Sequence, residues 1–186
     1  MAVTFTASGT PIAGGVQTTY DFVHDAFLEG QLSDIRPKTI DSYVNETSGV
    51  VAFGNMLIWN SGSTVADSAR TISGTTGTVV GVNVLTYVDE TARDANNRPG
   101  AKDRQLMNVV RRGAVVVYVH GAVDPSTPVR VIHTASGVQH PGQFSASAVS
   151  GRTALVSNAA YLSKTTGSGL AVLDLNGPNF TLTANA

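Results

Sequence analysis

From Gly49 onward the apolar residues come in short runs, none longer than the six of Ala114 to Val119. Turn residues such as Gly, Pro, Asn and Ser recur between them. A chain punctuated this way cannot sustain a long amphipathic helix, because too few turns pass before a breaker intervenes. The runs are also rich in β-branched side chains, among 25 Val and 21 Thr in 186 residues. Such residues fit a pleated surface and lose rotamer freedom in a helix. The economical reading is an all-β domain, a small barrel or sandwich, with turns supplied by the 19 Gly.

The runs place the strands. Val50–Gly54 and Asn55–Trp59 form one or two strands, followed by the turn cluster Asn60-Ser61-Gly62-Ser63. Thr78 to Val88 alternates, with Val80, Val82, Val84 and Thr86 on one side. Gln105–Val110 and Ala114–Val119 flank Gly113, which marks a tight hairpin or a kink. Val129–Thr134, Gln143–Ser145, Ala154–Val156, Ala160–Ser163 and Leu170–Leu175 complete the set, with Thr181–Thr183 as a terminal edge strand. No strand–helix–strand period occurs, which argues against a Rossmann or TIM fold.

The first 48 residues read differently. Residues 1–19 are small and polar, as in an arm. Residues 20–29 place Phe22, Ala26 and Phe27 on one face of a short helix ended by Gly30. Residues 31–48 read as an extended connecting segment, since Pro37 pushes Arg36 out of helical geometry. The expected organisation is an N-terminal arm and extended segment over 1–48 and a β-domain over 49–186.

Charge narrows the partners. The net charge is −1 and charged residues make up 13% of the chain, against roughly 25% in an average soluble domain. Nothing favours nucleic acid or an acidic membrane as a partner. The shortfall instead points to a surface covered by neighbouring subunits, or one coated with Ser, Thr, Asn and Gly. The charge is unevenly spread: residues 93–112 hold six basic and two acidic residues, and residues 1–46 the reverse. Complementary stretches of this kind can orient one subunit on another.

Catalytic and cofactor motifs are missing. There is no Cys, so disulfides and thiolate metal sites are excluded. The four His, at 24, 120, 133 and 140, have no metal-ligand spacing. No nucleophile elbow or phosphate-binding loop is present. Asp89-Glu90 is the one acidic pair at a strand end, and a solvated loop explains it. The expectation is a non-enzymatic protein with no cofactor and no metal. Two other readings stand beside it: a carbohydrate-binding or adhesion β-domain using Trp59 and Tyr161 as stacking faces, and a hydrolase built on Asp89 or His133.

An ordered series of blocks resembles the structural cement, or head decoration, proteins of tailed bacteriophages. It comprises GQLSDIRP (30–37), IDSYVNE (40–46), Phe53-Gly54, Gly81-Val82, VVRRGAVVV (109–117), PVRV (128–131), PGQF (141–144) and GLAVLDLN (169–176). The resemblance spans roughly residues 30–176 and leaves out 1–29. It implies a virion protein on the outer surface of the phage head, set as a homotrimer over junctions of the major capsid protein, with no catalytic residue. On that footing the contacts to the capsid are expected around Ile35, Arg36, Pro37 and Tyr43 of the extended segment. A second set is expected at Arg98, Lys102 and Arg104 of the basic loop.

Overall fold

The computed structural model describes residues 28–86 and 92–185. The helix expected over 20–29 lies outside them except for Leu28 and Glu29, which belong to a turn. Asp89 and Glu90 also lie outside. The described residues form thirteen strands and no helix. The first seven are β1 (Thr39–Asn45), β2 (Val51–Ala52), β3 (Met56–Trp59), β4 (Ser68–Thr71), β5 (Val79–Asn83), β6 (Gly100–Ala101) and β7 (Leu106–His120). The other six are β8 (Arg130–Ile132), β9 (Phe144–Ser145), β10 (Thr153–Val156), β11 (Ala159–Tyr161), β12 (Gly169–Asn176) and β13 (Leu182–Ala184).

Five strands close into a barrel in the order β1-β4-β3-β5-β7, with β7 pairing back onto β1. Closure leaves no free edge within the ring. The β1–β4 seam is parallel, with Val44 opposite Ser68, and the other four seams are antiparallel. Each barrel strand contributes to one apolar cluster: Tyr43, Ala69, Leu57, Val80, and Met107 with Val109. This is the barrel interior. Val51 and Ala101, from the small β2–β6 ribbon, join it.

The sequence places β1 in a connecting segment, and the structure corrects this. Its alternation is masked because Asp41 and Ser42 precede the buried Tyr43 and Asn45. The barrel therefore takes up residues N-terminal to position 49. The strict alternation expected over 78–88 also breaks. Val80 is an extra residue between the pairs Leu57–Gly81 and Ile58–Val79. This bulge sends Val80 into the barrel, while Val79 and Val82 join the second core.

That second core is larger. It takes Met56 and Ile58 from the outer face of β3 and Val115, Val117 and Val119 from the far half of β7. Phe144, Val131, Val156, Tyr161, Leu173 and Leu175 complete its centre. Here the period-two pattern holds: along β12, Ala171, Leu173 and Leu175 are buried while Leu170, Val172 and Asp174 are less so.

β7 joins the two cores. It runs 15 residues through Gly113, where φ is +124°. The position marked from sequence as a hairpin or kink thus lies inside one continuous strand. One edge of β7 is paired first with β1 and then with β12, the handover falling at Arg112. Its other edge is met in turn by β5, by the segment around Leu32, and by β9.

Several buried polar atoms lack a partner among the described residues, and the Tyr161 hydroxyl is one of them, on a residue that is 1% exposed. Burial pushes its ionisation far above the usual phenol range. An unsatisfied buried hydroxyl costs about 1–3 kcal/mol. Tyr161→Phe is therefore expected to stabilise the fold by about 1 kcal/mol, seen as a higher midpoint in urea unfolding. A lower midpoint would mean the hydroxyl is satisfied.

Candidate functional site

The residues marked from sequence fall in four places. Ile35, Arg36 and Pro37 form an exposed turn just before β1. The turn is braced from below. The Asp34 carboxylate accepts from the Arg36 backbone N–H (3.2 Å) and from its guanidinium. This hydrogen bonding holds the Asp34 carboxyl below its usual range. The Lys38 ammonium donates to the Asp34 carbonyl at 2.6 Å. Arg36 also reaches Asp174 of β12 at 3.7 Å. The effect is to present Ile35 outward with 101% relative exposure. Beside it lies a concavity of about 360 Å³ lined by Arg36, Pro37, Arg112, Gly113 and Asp174. Lys38 packs on Gly113, since a Cβ there would lie 2.9 Å from Lys38 Cβ.

Tyr43 is not on this surface. It is 6% exposed and its ring meets Trp59 edge-on, with centroids 6.1 Å apart. Alternation along β1 turns it into the barrel, so it cannot serve as a contact residue while the barrel is closed. Tyr161, considered as a sugar-stacking face, is likewise buried, and Trp59 is 38% exposed.

Arg98 is also removed from free surface. Its guanidinium binds Asp94 at 2.8 Å and Glu29 at 3.4 Å, with 17% of the side chain exposed. It donates to Asn55 Oδ1 at 3.2 Å as well. Arg111 pairs with Asp41 at 2.7 Å. The basic and acidic stretches seen in the sequence therefore meet partly within one subunit. Sequence spacing could not reveal this, because the partners are about 70 positions apart (|i−j| 69 and 70).

Lys102 and Arg104 lie on the turn that leads into β7. Arg104 N donates to Asn45 O at 2.8 Å, which sets this turn at the C-terminal end of β1. Ile35 precedes the N-terminal end of the same strand. Seven residues of strand place the two roughly 20 Å apart. The turn lines a polar hollow of about 290 Å³ with Glu46, Asn60 and Ser63.

The bracing residues Asp34, Lys38 and Asp174 were missed from sequence. A signal for the first two exists in the alternation of Asp34, Arg36 and Lys38 with Ile35 and Pro37. Asp174 carries none, as it is joined to the turn only by the sheet. Among the described residues, no group of three or more His, Asp or Glu side chains is placed to hold a metal. His120 faces Gln143 and His133 faces Thr134, each at 2.9 Å.

The barrel with its long shared strand is a fold found in a virion. A chain from "The capsid of Myoviridae Phage XM1" matches it with a TM-score of 0.60 at 16% identity, over 81% of this chain and 90% of that one. At that identity the likeness speaks for the fold alone. The sequence itself matches the structural cement protein family (E217 gp24/Pam3 gp6) over residues 16–176, and the chain belongs to that family. It is a structural protein of a phage. No curated protein matches it.

Proposed function

We propose that this chain is a head cement protein that binds the outer surface of the major capsid shell and acts without catalysis. Family membership supports a capsid-associated role. The observation that carries the contact site is the braced turn Asp34–Lys38, which holds Ile35 fully out of the protein. An exposed Ile is ordinary by itself. One held forward by an ion pair and a main-chain bond has little conformational entropy left to lose on docking. Burying it on a partner is worth about 2 kcal/mol. Arg36 and Pro37 flank it as the polar and rigid parts of the same contact. Arg104 and Lys102 offer a second contact at the far end of β1.

Homotrimer formation belongs to this reading. Three weak contacts made by one assembly reinforce one another through effective concentration. Light scattering of the purified protein should then give three times 19.2 kDa.

Ile35→Asp is the direct test. Its affinity for empty heads built from the major capsid protein, measured by cosedimentation, should fall at least about ten-fold. Its thermal unfolding should not change, because Ile35 touches no core. Unchanged binding would move the contact away from this turn.

A further inference from the structure

The first described residues are fastened to the body by main chain and by one acidic side chain. Gly30 N donates to Val116 O and Leu85 N donates to Gly30 O, at 2.8 and 2.9 Å. Val116 N donates to Gln31 O at 2.8 Å, and Ser33 N to Ala114 O at 3.1 Å. The segment thus fills the gap on the β7 edge between β5 and β9. Gly30 has φ +83°, and a Cβ there would lie 2.7 Å from Phe53 Cβ, so the fit is close. The Glu29 side chain lies over Gly54, where a Cβ would come 2.4 Å from Glu29 Cγ.

The electrostatics of this junction do not balance. Glu29 is 17% exposed at its side chain and faces Arg98 at 3.4 Å. Arg98 is already held by Asp94 at 2.8 Å. Asn55 adds no charge. His140, from the loop before β9, senses Arg98 and Asp94 but stays neutral more readily than a free His, because of burial and Arg98. Two carboxylates therefore share one guanidinium in a water-poor site, an arrangement that favours uptake of a proton.

We propose that the segment Leu28–Ser33 is a proton-operated clamp, closed when Glu29 is protonated and loosened when it is ionised. The inference is independent of the capsid reading. Burial is the main cause of the shift, Arg98 opposes it and Asp94 adds to it, and together they raise the Glu29 carboxyl from 4.5 to about 7. An open segment returns the carboxyl to water and to its ordinary value. The closed form thus binds the proton more tightly than the open one. The contribution is complete below pH 4.5 and is lost as pH rises through about 7. His140 works in the opposite sense, but only below its ordinary value of 6.5. Acidification from mildly alkaline conditions tightens the clamp.

The test uses the full chain and Glu29→Gln, which keeps the shape and an acceptor for Arg98. The chain has three Glu, at 29, 46 and 90, so a glutamate carboxyl ¹³C label gives three resonances. One should titrate near neutrality and vanish in the variant. Amide exchange of residues 28–33 is then compared between the two proteins at matched pH. At about pH 8.5 the wild-type segment should exchange roughly ten-fold or more faster than the variant, and at about pH 5.5 the two should agree. All three glutamates titrating in the ordinary range would overturn the proposal. So would faster exchange in the variant at high pH, which would mean that the charged pair with Arg98 holds the clamp.

Discussion

Gly81→Ala is expected to lower stability by about 3 kcal/mol and the unfolding midpoint by about 10 °C. A Cβ at this position would lie 2.2 Å from Val110 O and 2.9 Å from Val109 Cγ1. The first cannot swing away, because it is backbone of the neighbouring strand β7. The backbone at Gly81 also has φ +139°, which an L side chain adopts only with strain. Relief requires β5 to move off β7, which opens one of the five barrel seams and the bulge that aims Val80 inward. At Gly74 and Gly167 a Cβ would meet nothing within 4 Å. Alanine at either should leave the midpoint within about 1 °C. Calorimetry on the three variants checks this, and equal midpoints would show that β5 yields at no cost.

Asn45→Ala should cost a similar amount, about 3 kcal/mol. Asn45 is fully buried at the end of β1. Its amide nitrogen donates to Gly49 O, Ala101 O and Lys102 O, at 2.8, 3.0 and 2.9 Å. Its oxygen accepts from Thr47 N and Thr47 Oγ1, at 3.0 and 2.7 Å. One side chain thus ties β1, the turn after it and the β6 region together. Removing it takes a donor from the buried Ala101 carbonyl and the acceptor from Thr47 N and Oγ1, while Gly49 O keeps Thr47 Oγ1 and Lys102 O keeps Gln105 N. A buried polar group left without a partner costs about 1–3 kcal/mol. Asn45→Asp sharpens the test. It keeps the size and the acceptor but turns a carboxylate oxygen toward three carbonyls. It should unfold in urea at least as early as the alanine variant. An aspartate variant near wild type would show that water reaches this site.

These two positions also show where sequence reading stops. Strands with one wet face were legible, because burial writes itself as alternation: β12 and β10 fall within a residue or two of where their apolar runs put them. β1 was hidden, since its buried residues are Tyr43 and Asn45 and its register is set by hydrogen bonding rather than by an apolar row. β4 was hidden for a related reason. Ser68 and Ala69 are buried but small and weakly patterned. The bulge at Val80 cannot be read from alternation at all, since it is the place where alternation fails. In the candidate surface, the local turn of Ile35, Arg36 and Pro37 was legible as a Pro-directed exposed segment. The burial of Tyr43 and the pairing of Arg98 were not legible, because aromatic and basic residues look alike on paper whether they face water or a distant partner. Arg98 finds Glu29 only after the chain has folded.

The continuity of β7 through Gly113 has a mechanical meaning. β7 is one covalent strand, roughly 50 Å if fully extended, and it is gripped by the barrel at one end and by β12 and β9 at the other. A pull along it loads its neighbours in shear, so the rungs of the β1 and β12 ladders must yield together rather than unzip one at a time. There is no hinge between the two halves for tension to open. A structural protein built this way passes strain lengthwise through its own backbone, and Gly113 takes its positive φ without interrupting that line.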